Sequence, residues 1–162
     1  MDYLGINKNQ SVNTVKELNQ LLANYQVYYQ NLRNFHWNVS GEHFFDLHAQ
    51  FEGLYTDARA KIDAIAERIL TLRYRPMSNL ASYLREAQIE EAGKVSDDRE
   101  MVRIILENHR ELIERMRSTL IVAEEVKDEG TIDMIAGYLS DLEKRSWMLD
   151  AWYAQKSERI MA

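Results

Sequence analysis

Apolar residues recur at helical spacing through most of this chain. From about Ser11 to Trp37 they fall at Leu18, Leu22, Tyr25, Tyr29 and Leu32, with Leu21, Tyr28 and Phe35 alongside, a wide stripe on one helix. A second segment, about Phe44 to Leu72, repeats Leu47, Phe51, Leu54, Ala58, Ile62, Ile65, Ile69 and Leu72. A third, about Asp98 to Val126, runs through Val102, Ile105, Leu112, Met116 and Leu120. A fourth, about Thr131 to Ala154, runs through Ile135, Leu139, Leu142, Leu149 and Trp152. Gly41, Gly93 and Gly130 stand where the pattern breaks and are expected to interrupt the helices.

The connections carry the topology. Asn38 to His43 and Lys127 to Gly130 are short, so the first and second segments, and the third and fourth, should be antiparallel neighbours. Arg73 to Ser96 is long, and Asn79 to Glu86 within it suits a short extra helix. The expected fold is all-α: a ferritin-like four-helix bundle with one long crossover, forming a single domain over residues 1–162. Nothing after Ala154 is long enough for a fifth long helix.

Composition narrows the chemistry. The chain has no cysteine, which removes disulfides, thiolate metal sites and thiol nucleophiles together; any metal must be held by nitrogen and oxygen. No run of about 20 apolar residues occurs, and the start, MDYLGINKNQ, lacks a basic stretch followed by an apolar one, so no membrane span is predicted and a cytoplasmic location is expected. A net charge of −6 disfavours nonspecific nucleic-acid binding by the body of the domain and favours cations.

The second segment carries His48, Glu52, Asp63 and Glu67. At about 100° per residue they lie near about 0°, 40°, 60° and 100° around the helix axis, on one face. The apolar stripe centres about 130° away from the middle of that face, so these four residues should point away from their own core. No Glu-x-x-His pair, the signature of an inward-facing di-iron bundle, is present. The pair His48/Glu52 also stands about 22 Å along the helix from Asp63/Glu67, too far to share an ion. A second copy packed antiparallel about a two-fold axis near Asp57 and Ala58 would bring the two halves together, twice per dimer. His36, on the last turn of the first helix, should lie near His48. Such a mixed shell suits iron(II), manganese(II) or zinc(II) and leaves positions open for an oxidant.

Other polar residues read less sharply. His43 fits a helix start and His109 a packed histidine; Tyr25, Tyr28, Tyr29, Trp37 and Tyr55 fit core or interface aromatics. Arg59 falls inside the ligand stripe near the expected axis, so it must pair with an acid or turn outward. Glu124, Glu125, Asp128, Glu129 and Asp133 surround the last turn. They form either a solvated acidic connection, with Asp133 favouring a helix start, or a cation-entry pore where several chains meet on a symmetry axis.

The segments Asn34-Phe35-His36-Trp37-Asn38-Val39-Ser40-Gly41, Phe44-Phe45-Asp46-Leu47-His48 and Asp63-Ala64-Ile65-Ala66-Glu67-Arg68 resemble the signature of the Dps family, the DNA-binding proteins from starved cells. The likeness extends over almost the whole chain, including Asp128-Glu129-Gly130-Thr131. It implies a mini-ferritin: a twelve-subunit hollow shell that admits Fe(II) through acidic pores and stores ferric mineral. The oxidant it implies is hydrogen peroxide, acting at ferroxidase sites between two-fold related subunits. The ligands it implies are His36, His48 and Glu52 of one chain with Asp63 and Glu67 of its neighbour. Position 52 is often aspartate in that family, so the resemblance implies that Glu52 places its oxygen one methylene further out and alters the second, weaker iron position. The alternative is a DNA-compacting nucleoid protein with secondary iron chemistry. Tail-driven DNA binding is not expected, because only Lys8 precedes Lys16 and the end, QKSERIMA, offers only Lys156 and Arg159.

Overall fold

The computed structural model describes residues 3–159. A 3-10 turn, Lys8–Ser11, leads into α1 (Val12–Asn38). Then follow α2 (Phe44–Thr71), the short α3 (Leu80–Glu86), α4 (Asp98–Glu125) and α5 (Glu129–Arg159). α1 packs along α2 and along α4, and α4 along α5, so four long helices enclose one core. The predicted bundle, crossover and short helix are all present. None of the helices is long and apolar enough to cross a membrane, among the described residues.

The apolar stripes close on one another. Leu18, Leu22, Tyr25 and Leu32 of α1 are buried with Phe51, Leu54, Ala58, Ile65 and Ile69 of α2, Val102, Ile105, Leu112 and Met116 of α4, and Ile135, Leu142 and Leu149 of α5. Ile62 and Leu139 lie at the margin, half-buried.

The crossover has little core of its own and is held instead by asparagines on α1. The Asn24 carboxamide oxygen accepts from the backbone N–H of Gln88 (3.0 Å) and Ile89 (2.9 Å). Asn31 accepts from Ala92 N–H and donates to the Glu90 carbonyl, both at 2.9 Å. Asn19 accepts from Met77 N–H at 2.8 Å. These α1 side chains thus satisfy backbone groups that the loop cannot pair within itself.

The turns differ from the glycine-based expectation. Gly41 does make the α1–α2 reversal, at φ +97°. At the α4–α5 turn the left-handed residue is Lys127 (φ 54°), with Lys127 N–H donating to the Glu124 carbonyl and Asp128 N–H to that of Ala123, a Schellman close. Arg73 (φ 68°) ends α2 in the same way. Gly130 therefore does not interrupt a helix, because α5 already starts at Glu129, two residues ahead of the predicted Thr131. Glycine leaves room there for Arg68: a Cβ at 130 would lie 2.8–3.0 Å from the guanidinium, which Thr131 and Asp128 hold in place, and would displace it.

A half-buried charge network lies at the margin of the core between α2 and α5. Lys61, buried, donates to Asp57 (2.7 Å) and to Asp141 (2.8 Å), and Arg145 donates from Nε to Asp141 (2.8 Å). Burial opposes ionisation of Asp141, but hydrogen bonds and charge from Lys61 and Arg145 outweigh it and hold the carboxyl below its usual range. The acids facing inward from α2 and α5 are thus already neutralised by fixed cations, in contrast to a bundle whose inward carboxylates hold a metal.

Candidate metal centre

The short loop between α1 and α2 returns the chain so that His36 and His48 face each other. Their rings stack with centroids 3.8 Å apart and 23° between planes. His36 Nδ1–H donates to the His48 carbonyl and His48 Nδ1–H donates to the His36 carbonyl, each at 2.9 Å. A carbonyl only accepts, so both Nδ1 atoms carry a proton, and in the neutral tautomer this selects, the Nε2 lone pairs are the ones free to bind a metal. The His36 carbonyl belongs to the last turn of α1, where helix carbonyls lack intrahelical partners, so His48 also caps the helix. This reciprocal arrangement fixes tautomer and ring direction in the way a metal-ligating histidine requires.

Two aromatics enclose the pair. Phe44 stacks on His48 at 4.9 Å, and Tyr55 meets His36 edge-on at 5.2 Å and Tyr29 at 6.1 Å. Phe44 and Tyr55 were legible only as aromatics; their positions four before and seven after His48 place them on its face of α2. Trp37, the next residue, is 58% exposed and lies under the Arg33 guanidinium at 4.7 Å.

Glu52 lies one turn beyond His48 and is exposed; Asp63 and Glu67 are exposed further along the same helix. Leu47, Phe51, Leu54, Ala58, Ile65 and Ile69 of α2 are buried, so the acids point away from the core as the helical wheel requires. Among the described residues, no three His, Asp or Glu side chains of one chain converge on a common point. His36 and His48 meet; Asp63 and Glu67 do not join them within the subunit.

Residues 15–157 match the Ferritin-like domain family. The chain is 40% identical over 156 residues to the DNA protection during starvation protein of Porphyromonas gingivalis, covering 96% of this chain and 98% of that one. It is 43% identical over 135 residues to the same-named protein of Brevibacillus brevis, covering 83% and 91%. Its fold superposes on the crystal structure of the Dps protein from Vibrio cholerae O1 with a TM-score of 0.91 and 44% identity, over 94% of this chain and 96% of the other. That Vibrio protein is described as a member of the ferritin-like diiron-carboxylate proteins. The chain belongs to the Dps family.

The acidic turn of this Dps chain divides in two. Glu124, Glu125, Glu129 and Asp133 are exposed around the α4–α5 connection. Asp128 is removed from that set: it is fully buried, accepts from Thr131 N–H (3.1 Å) and the Thr131 hydroxyl (2.6 Å), and pairs with Arg68. It caps α5 and ties α2 to the turn.

His109 has a structural place. It is buried, with the Tyr28 hydroxyl 2.8 Å from Nε2 and Ser146 Oγ 2.8 Å from Nδ1. The one hydroxyl proton of Ser146 goes to the Leu142 carbonyl (2.7 Å), so Nδ1–H donates to Ser146 and Tyr28 O–H donates to Nε2. Burial, with Arg145 and Lys61 nearby, pushes His109 down to about 3. It remains neutral and is not part of the metal centre.

Proposed function

We propose that this protein oxidises Fe(II) and stores the ferric product, at sites completed only when two subunits pair. The carrying observation is the His36–His48 couple between α1 and α2, with each Nδ1–H bonded to the other's carbonyl, beside an α2 face on which Glu52, Asp63 and Glu67 are exposed away from the core. His36, His48 and Glu52 of one chain with Asp63 and Glu67 of the partner subunit form each shell. Nitrogen and carboxylate donors suit iron(II), and zinc(II) or manganese(II) can substitute.

The protein's part is binding and orientation. The two imidazoles anchor the first ferrous ion; Glu52, with its longer reach, holds the second more loosely. Hydrogen peroxide is the oxidant: two Fe(II) each give one electron, the O–O bond breaks, and two hydroxides form with two Fe(III), so no hydroxyl radical is released. The shell is a dodecamer in the cytoplasm. Cations enter past Glu124, Glu125, Glu129 and Asp133, whose exposed carboxylates raise the local cation concentration. The family membership supports iron chemistry, and the stacked histidines support its location.

The test is peroxide-dependent iron oxidation by the assembled protein with His36 and His48 both replaced by alanine. A fall of at least a hundredfold in initial rate is expected; an unchanged rate refutes the assignment.

A further inference from the structure

Arg59 is a cation placed among metal ligands. On the α2 wheel it lies at about 20° from His48, between His48 and Glu52, inside the ligand face. It is exposed, and among the described residues it makes no hydrogen bond or ion pair. Its charged neighbours behave differently. Asp57 and Lys61, two residues to either side, turn toward α5 and are consumed in the half-buried network with Asp141 and Arg145. Arg59 is therefore left with its charge on the face that a second subunit covers.

The two-fold pairing fixes what it meets there. If position 52 of one chain is level with position 63 of the other, residue 59 is level with residue 56 of the partner subunit, and the two Arg59 copies are offset by only about 4.5 Å along the helix direction. Two guanidinium groups brought to one covered interface require acids. The nearest are Asp63 of the same chain, four residues on, and Glu52 of the partner subunit, level with it. Both lie about 6 Å away along the helix, within the span of an extended arginine. Both are also proposed metal ligands.

We propose that Arg59 is the resident counter-ion of the empty site: its guanidinium bridges Asp63 and Glu52 of the partner subunit, and an incoming divalent ion must displace it. This inference rests on the intersubunit reading above. It keeps two carboxylates ordered and neutralised between turnovers, and it sets the site to bind metal loosely. A unit charge about 6 Å from a divalent ion in water-like dielectric weakens binding about tenfold. The weakening falls mainly on the position held by Glu52.

Calorimetric titration of Zn(II), which needs no oxidant, tests this in the assembled protein. Four forms are compared: wild type, Arg59→Gln, Arg59→Lys, and His36→Ala/His48→Ala. Arg59→Gln is expected to bind Zn(II) about tenfold more tightly than wild type, with Arg59→Lys close to wild type and the gap narrowing as salt is raised. Should Arg59→Gln fail to assemble, as judged by light-scattering mass, Arg59→Met gives the same neutral comparison. Equal affinity in wild type and the neutral variant, with binding lost in the double-histidine variant, overturns the role of Arg59 and leaves the site standing. Full binding by the double-histidine variant overturns both.

Discussion

Replacing Asp128 with alanine should destabilise the protein by about 3 kcal/mol, although the residue sits in a surface turn among solvated acids. Its carboxylate is fully buried and accepts from Thr131 N–H at 3.1 Å, from the Thr131 hydroxyl at 2.6 Å, and from Arg68. Losing an N-cap costs about 1 kcal/mol. Stripping the partner from a buried cation costs about 3–5 kcal/mol. These terms share the same oxygens and do not add. The Arg68 side chain retains 16% exposure, so water relieves part of the second and the lower end of the range applies. In a chain of 162 residues that is a melting shift of roughly 6–12 °C. The assay is thermal and urea unfolding by circular dichroism at one fixed subunit concentration, since assembly makes stability concentration-dependent. The double variant Asp128→Ala/Arg68→Met should recover part of the loss, because no unpaired guanidinium remains. An Asp128→Ala protein within about 0.5 kcal/mol of wild type, but slowed in iron entry, would refute this and return Asp128 to a pore.

The remaining predictions concern the scaffold. Because His109 is held near 3 when folded and takes a proton below about 6.5 when unfolded, its contribution is complete above that pH. It is lost as pH falls toward 3, at up to about 1.4 kcal/mol per pH unit; His109→Gln should flatten the acid limb of stability against pH by one proton. Lys127→Gly should stabilise by about 1 kcal/mol, since a left-handed residue at φ 54° suits glycine, and urea midpoints will show it. Asn24→Ala should cost about 2–3 kcal/mol and loosen the crossover, leaving the buried N–H of Ile89 unpaired; faster hydrogen exchange at residues 88 and 89 is the readout.

Period and spacing made the helices legible: the stripes on α1, α2, α4 and α5 are the buried faces. The wheel argument on α2 correctly placed Glu52, Asp63 and Glu67 away from the core because helical geometry leaves little freedom over 28 residues. Turn chemistry was less legible. Lys127 and Arg73 occupy left-handed positions that composition assigns to glycine, while Gly130 leaves room for the Arg68 guanidinium, a contact between residues 62 apart in sequence. Asp128 was hidden among acids for the same reason: nothing local distinguishes a buried cap from its solvated neighbours. The proximity of His36 and His48 could be foreseen from the short loop, but the crossed Nδ1–H bonds that aim their Nε2 atoms depend on the loop's path.

Mixing two inactive proteins tests the central claim most directly. His36→Ala/His48→Ala chains keep Asp63 and Glu67, and Asp63→Ala/Glu67→Ala chains keep both histidines and Glu52. Co-assembled in equal amounts with random pairing, they should regain about a quarter of the wild-type rate of peroxide-dependent iron oxidation, because each mixed dimer contains one complete site. A mixture no more active than either parent, in shells shown by mass spectrometry to contain both chains, would contradict a site shared between subunits.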